Sequence, residues 1–311
     1  MTPNPTSEDM KEIAARFAGL LRLLTHDGET ERPADIRDLL IDRLRDALDR
    51  RLPSMSEGEP AFIANTFLVE AVIHSNPRTV VSRLRHRDLG TWHALKTVGD
   101  DQRNDAVSNA VLLREARIGM ALRHPNLVAV ECVVRLADGR PAIIAEWAGP
   151  PLSQRLSADA ISLADITRTM RSLLFGLHAI HHAGYVHGDI SPSNLLLCDD
   201  DFTRLKDDDF TRLKIADFGS AIECGRCYRD LDIAKAATPG FAAPELSPTE
   251  AADPRADLYS AGRVMKLLLE HCPEANDATA SLKSVMAQLT NHAPSERPPN
   301  AMAAVELIKA D

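Results

Sequence analysis

Asp189 and Asn194 lie five residues apart in the run His187-Gly188-Asp189-Ile190-Ser191-Pro192-Ser193-Asn194. Asp217-Phe218-Gly219 follows that run, and Ala243-Pro244-Glu245 comes later still. Any one three-residue string arises by chance at roughly one position in 8,000, so a single match would carry little weight. Three in a fixed order, with polar residues spaced between them, carry far more. The amide of Asn194 and the carboxylate of Asp217 are hard oxygen donors on two separate loops. Such a pair suits a divalent cation of the Mg²⁺ type, which keeps several waters and takes few protein ligands.

The elements that must hold these loops are legible upstream and downstream. Segments 66–73, 80–86 and 92–97 alternate apolar with polar residues and are rich in β-branched side chains, as three antiparallel strands would be. Segment 106–122 reads as a helix, and 127–135 and 141–147 as two more strands turning at Ala137-Asp138-Gly139. From Ser153 onward the pattern is mainly helical, interrupted by the motif loops. Strands first and helices later indicate an α+β chain with a cleft between its two parts. Ahead of all this, 7–25 and 33–52 read as two amphipathic helices separated by a polar turn at Gly28, with 54–60 as a linker. Two helices this short do not bury their apolar stripes alone, so they are expected to pack on the following domain, on a partner or on a second copy.

The ordered motifs resemble those of the protein kinase family, nearest to compact bacterial kinases of the eukaryotic Ser/Thr type. The resemblance implies a two-lobed kinase-like fold with an N-terminal helical extension: 1–60 the helical extension, 61–148 the N-lobe and 149–311 the C-lobe. It implies ATP and Mg²⁺ as the nucleotide and metal, and Ser or Thr of a protein as acceptor. His93-Ala94-Leu95-Lys96 is similar to the family's strand lysine motif, which makes Lys96 the cation for the α- and β-phosphates. Glu115 lies nine residues before the His124 of His124-Pro125-Asn126-Leu127-Val128, the usual place of the glutamate that braces that lysine. By the same resemblance Asp189 orients the acceptor hydroxyl, Asn194 and Asp217 hold Mg²⁺, and Val81, Ala94, Glu146, Trp147 and Leu196 surround the nucleotide. Thr238-Pro239-Gly240-Phe241 through Glu245 is similar to the substrate-docking loop of Ser/Thr kinases. Asp257-Leu258-Tyr259-Ser260-Ala261-Gly262 and the late Arg297, expected to pair with Glu245, are likewise features that small-molecule phosphotransferases lack.

Several positions depart from the family pattern. His74, Asn76 and Thr79 stand where phosphate-loop glycines belong, and Pro77 removes a backbone N–H, so ATP is expected to bind weakly. Gly188 replaces an arginine that answers a phosphorylated activation segment, so control by that route is not expected. Ser191 replaces a lysine that neutralises the transferred phosphate, a type of loss that costs on the order of 10²-fold in rate. Gly119 stands where a bulky residue packs under the αC helix, and Ala145 opens space behind the adenine. These departures leave a pseudokinase scaffold as the rival reading, with a small-molecule phosphotransferase behind it.

Composition narrows the class. Lys plus Arg number 36 against 45 Asp plus Glu, a net charge of −9, which argues against broad binding to nucleic acid or anionic membrane. No apolar run approaches eighteen residues and no signal peptide is visible, so a cytoplasmic location is expected. Cys224-Gly225-Arg226-Cys227 has neither a second pair nor a strand-to-helix setting, and reads as coincidence, with a regulatory thiol pair as the alternative. The octapeptide Asp-Asp-Asp-Phe-Thr-Arg-Leu-Lys at 199–206 recurs unchanged at 207–214, as a tandem duplication would. Doubling a loop costs only about 0.6 kcal/mol in closure entropy, so the fold is expected to tolerate it.

Overall fold

A computed structural model describes residues 7–49, 62–156, 160–198, 213–231, 237–274 and 277–308. All but the last two residues of the duplicated octapeptides lie outside these. The chain divides into two units, Met1–Ala61 and Phe62–Asp311.

The first unit holds α1 (Ser7–Thr25) and α2 (Ala34–Asp49). The polar turn between them is itself a miniature hairpin, β1 (His26–Asp27) paired antiparallel with β2 (Thr30–Glu31). Thr25 O accepts from Arg32 N at 2.8 Å and closes the connection. Phe17, Leu20, Leu21, Leu23, Ile36 and Leu39 are exposed on these helices.

The second unit opens with an antiparallel sheet in the order β3-β4-β5-β6-β8-β7. Its strands are β3 (Phe62–Ile63), β4 (Phe67–Ser75), β5 (Thr79–His86), β6 (Trp92–Val98), β7 (Val130–Arg135) and β8 (Pro141–Glu146). The sheet therefore has one short edge strand more than the sequence pattern suggests. Helix α3 (Ala106–Ala121) lies between β6 and β7 in the chain. Asp105 caps it by accepting from Val107 N and Ser108 N. Alternation along β6 sends Val98 into a cluster with Leu112 and Ala116 of α3, and Leu95 into a second cluster with Leu84 and Ile144 on the opposite face. Strand β8 is buried from Pro141 to Ile144, which explains its unbroken apolar run.

The remainder is helical around a large core: α4 (Leu152–Arg155), α5 (Leu163–His182), α6 (Arg255–Glu270), α7 (Asp277–Leu289) and α8 (Ala301–Leu307). Helix α5 buries Leu163, Ile166, Met170, Leu173, Leu174, Leu177 and Ile180, the three-and-four spacing of one face. Its N-cap Ser162 accepts from Asp165 N at 3.1 Å. Short pairs β9 (Tyr185–Val186) with β12 (Ile222–Glu223), and β10 (Leu195–Leu197) with β11 (Leu213–Ile215), frame the motif loops. Residues 127–129, expected as strand, instead belong to the motif after His124. Asn126 is fully buried, its amide donates to Leu213 O at 2.9 Å, and Val128 N donates to Ile215 O at 2.9 Å. That segment rivets the sheet half to β11. Among the described residues no helix is long and apolar enough to cross a membrane.

Candidate active site

Lys96 sits mid-strand in β6, directly opposite Val81 of β5 and Ile143 of β8. Opposed residues share a sheet face, so Val81, Ala94, Ala145 and Lys96 look the same way, toward α3 and the helical half. Lys96 Nζ lies 2.8 Å from Glu115 Oε1 and 2.8 Å from Asp217 Oδ1. One ammonium thus serves two carboxylates. Burial alone would lower the lysine, but Asp217 and Glu115 outweigh it and hold Lys96 above its ordinary range. The side chain of Glu115 is 8% exposed, against 43% for Asp217, so the two acids respond in opposite directions. Burial pushes Glu115 up to about 7, with Lys96 opposing and Asp217 reinforcing. For Asp217 the desolvation cost is outweighed by Lys96, which holds the carboxyl below its usual value.

A pH dependence follows. The folded-state value of Glu115 lies above its ordinary 4.5, so between these values the folded chain retains a proton that the unfolded chain releases. The stabilisation from this group is present below about 4.5 and is lost as pH rises through about 7. Glu115→Gln, which cannot titrate, should therefore gain relative to wild type as pH rises. Thermal melts at pH 5 and pH 8 are expected to show the difference in Tm moving by several degrees in favour of the variant; parallel profiles would contradict the assignment.

Asp217 adopts a left-handed backbone (φ 65), uncommon for a non-glycine residue, and its Oδ1 accepts from Gly219 N at 3.1 Å. Phe218, next in the chain, is buried against α3. A Cβ on Gly119 would meet Phe218 Cδ2 at 3.2 Å and Val130 Cγ2 at 2.5 Å. The missing side chain at 119 is thus compensated: Phe218 and Val130 fill the place beneath the helix.

The loop carrying Asp189 hangs from a buried anion. Asp257, in the first turn of α6, accepts from His187 N at 2.8 Å, Gly188 N at 2.9 Å and His181 Nε2 at 2.9 Å. Burial would raise its pKa, but the hydrogen bond and charge of His181 hold it below its usual value. His187 Nε2 donates to Ala216 O at 3.1 Å, and its ring packs edge-on to Phe218, tying the Asp189 loop to the Asp217 loop. Asp189 Oδ2 accepts from Asn194 Nδ2 at 2.9 Å, while Oδ1 accepts from both the N–H and the hydroxyl of Thr238, at 2.7 and 2.8 Å. Asn194 Nδ2 also donates to Asp189 O at 2.8 Å, which leaves its amide oxygen as the atom available to a cation. Ser191 is fully buried, and its hydroxyl oxygen has no hydrogen-bond partner among the described residues, so it supplies no substitute donor to the cleft.

Of the residues expected around a nucleotide, Leu196 on β10 is bridged to Pro151, and Leu197 N donates to Pro150 O at 2.9 Å, so the segment after β8 lies along β10. Trp147 is half-buried with Arg83 over its ring. Glu146 is committed elsewhere. Its Oε1 accepts from Ala129 N and Lys214 Nζ, each at 2.7 Å, and its own N–H donates to Ala129 O.

The β4–β5 turn is closed on itself. Asn76 N donates to Thr79 O at 3.0 Å, and the N–H groups of Arg78 and Thr79 both donate to Asn76 Oδ1 at 2.8 Å. Pro77 has no N–H. Every backbone donor from 76 to 79 is therefore absent or spent within the turn.

Farther along, Glu245 is gripped by Arg297 through two bonds, 2.5 and 2.9 Å. Cys224 is exposed and Cys227 half-buried; burial pushes the Cys224 thiol up, away from the reactive thiolate. Sequence reasoning missed the contact of Thr238 with Asp189, although Thr238 heads the docking-loop motif, and assigned no task to Asp257.

The family model for the protein kinase domain matches residues 78–307. This chain belongs to the protein kinase family. It is 30% identical over 252 residues to serine/threonine-protein kinase PknJ of Mycobacterium tuberculosis, covering 78% of this chain and 41% of that one. It is 28% identical over 262 residues to serine/threonine-protein kinase pkn3 of Myxococcus xanthus, covering 80% of this chain and 45% of that one. The chain thus spans less than half the length of either relative. The kinase domain of Mycobacterium tuberculosis PknI has the same fold, with a TM-score of 0.60 at 20% identity, over 81% of this chain and 98% of that domain.

Proposed function

We propose that this chain is an ATP- and Mg²⁺-dependent Ser/Thr protein kinase that turns over slowly. The observation that carries the reading is joint assembly: Lys96 is within 2.8 Å of both Glu115 and Asp217, while Asp189 is held from both sides by Asn194 and Thr238. Phosphoryl transfer asks mainly for positioned charge, and these groups supply it. In this reading Lys96, braced by Glu115, steadies the nucleotide phosphates, and Asp189 orients an acceptor hydroxyl and takes its proton. The amide oxygen of Asn194 and the half-exposed carboxylate of Asp217 fit a hard cation, which would neutralise charge on the phosphates when bound. The nucleotide lies between lobes dividing near residue 148, against Val81, Ala94, Trp147 and Leu196; Glu146 would contribute through its remaining backbone carbonyl.

The acceptor is a protein rather than a small molecule, because the docking segment around Glu245 is anchored by the buried Arg297. The composition that disfavours nucleic acid and membrane suits a cytoplasmic enzyme. A second reading, nucleotide-binding scaffold without efficient transfer, is favoured by the self-closed turn at 76–79 and the buried Ser191. Calorimetric titration with ATP, with and without Mg²⁺, is expected to show weak, metal-dependent binding that Lys96→Ala abolishes. Tight binding indifferent to metal would overturn the assigned roles of Asn194 and Asp217.

A further inference from the structure

The residue between His187 and Asp189 has no side chain, and the space in front of it is filled. Gly188 has φ +77, and a Cβ built there would fall far inside contact distance of Tyr228 Oη and 3.0 Å from Ser220 O. Tyr228 opens a short 3-10 turn, Tyr228–Leu231, eleven residues after Asp217. It is 1% exposed, and its hydroxyl donates to Ser220 O at 2.9 Å. Burial, reinforced by nearby Asp257, pushes the phenol well above its ordinary value, so it remains a protonated donor at every working pH.

Three parts of the site meet at this ring. The Asp189 loop approaches through Gly188. The segment after Asp217-Phe218-Gly219 is held at Ser220, and one residue on, Ala221 O accepts from the guanidinium of Arg114, the neighbour of Glu115 on α3. The ring also sits in a separate buried cluster with Val186, Ile222, Ala243, Leu246, Ala252 and Ala256. That cluster joins the strand before the Asp189 loop, the strand after the Asp217 loop, the docking segment and the start of α6. Tyr228 is its largest fully buried member among the described residues.

We propose that Tyr228 is a positioning residue: it occupies the space left by Gly188 and fixes the stretches Ser220 to Leu231 and Thr238 to Glu245 against the Asp189 loop without any phosphate. Where an arginine stands before the aspartate, its guanidinium needs a phosphorylated segment to complete the link. Here the link is an aromatic side chain and one neutral hydrogen bond, formed when the chain folds. Tyr228 touches no reacting atom. It acts through Thr238, whose backbone and hydroxyl hold Asp189, and through the docking segment. The proposal rests on the kinase reading for its consequence on rate, though the anchoring is testable without turnover.

The test compares Tyr228→Phe, Gly188→Ala and the double variant in the full chain, reading phosphoryl transfer and amide hydrogen exchange of peptides covering 218–231 and 237–246. Gly188→Ala drives a methyl group into the phenol oxygen and also strains the φ +77 backbone and crowds Ser220 O, costs that the double variant keeps. It should lower kcat by about 10-fold or more, with the KM for ATP nearly unchanged, and speed exchange in both peptides. Tyr228→Phe removes only that oxygen, and the next ring atom, Cζ, lies 3.4 Å from the methyl position, an ordinary contact. The double variant should therefore recover at least about threefold of the lost rate and much of the protection, although Tyr228→Phe alone lowers the rate. Equal rates and exchange in Gly188→Ala and the double variant would overturn the proposal. So would a Gly188→Ala chain with wild-type exchange. Wild type lacking all transfer would count against the kinase reading, and the exchange comparison would still decide on the anchor.

Discussion

Asp189→Asn should fold as wild type does and lose phosphoryl transfer by roughly 10²- to 10⁴-fold, the usual worth of a positioned general base. The carboxylate accepts on both oxygens, from Thr238 on one and from Asn194 on the other. An amide of the same shape offers one acceptor where two are needed and points N–H groups at an existing donor. On the proposed mechanism it also removes the group that takes the acceptor's proton. Nucleotide binding should persist, because Asp189 is not among the groups facing Lys96. Asp217→Asn makes the contrasting case: it should weaken Mg²⁺-dependent nucleotide binding as well as transfer, since it removes both the proposed cation ligand and the partner 2.8 Å from Lys96. Undiminished turnover in Asp189→Asn would sink the assigned role.

The largest effect on stability is expected at Arg297→Leu. The Arg297 side chain is fully buried and every nitrogen is engaged. Nε donates to Asn291 O at 2.7 Å, one terminal nitrogen to Glu245 and Arg255 O, and the other to Glu245 and His292 O. The guanidinium carbon lies 4.9 Å from the centre of the Tyr259 ring. Removing the buried Arg297 strands Glu245, itself 27% exposed, and three backbone carbonyl oxygens, at about 3 kcal/mol in all. For a unit of this size that corresponds to a fall in Tm of about 10 °C. Arg168 pairs with Asp165 at 2.9 Å on the surface, both about two-fifths exposed, and Arg168→Ala should cost below about 1 kcal/mol. Melting curves for the two variants side by side check the contrast; a similar small shift in both would remove the argument that Arg297 holds the docking segment.

What the sequence disclosed, and what it hid, divides along physical lines. The loops around Asp189, Asn194 and Asp217 were readable because they match ordered motifs of the kinase family. Strands β5 and β6 were readable because buried residues alternate with more exposed ones along them, and β8 because its apolar run is buried. The pairing of Lys96 with Glu115 could be anticipated from the resemblance to the kinase family, whose bracing glutamate stands at this place before the His124 motif. That the same ammonium also meets Asp217 could not, since it depends on a left-handed turn at Asp217 itself. The loss of phosphate-loop glycines was visible, but the capture of two N–H groups by Asn76 Oδ1 is a matter of turn geometry. Residues 127–129 look like strand because they are apolar, but their N–H groups go to three different places: Leu127 to His124 O, Val128 to Ile215 O of β11, and Ala129 to Glu146 Oε1. Tyr228 carried no periodic signal at all. Its partner is the absence of a side chain at Gly188, which appears as an interaction only in three dimensions.

The central claim is that the assembled groups transfer phosphate, and that they do so without prior phosphorylation. Purified chain, pretreated with phosphatase and then freed of it, would be incubated with Mg²⁺, γ-labelled ATP and a basic protein substrate while label on Ser and Thr is followed from the first seconds. The expected result is slow, metal-dependent transfer that begins without a lag, at the same initial rate as untreated chain. Saturable nucleotide binding that is lost on Lys96→Ala, with no transfer to any protein, would contradict the claim and make this chain a scaffold.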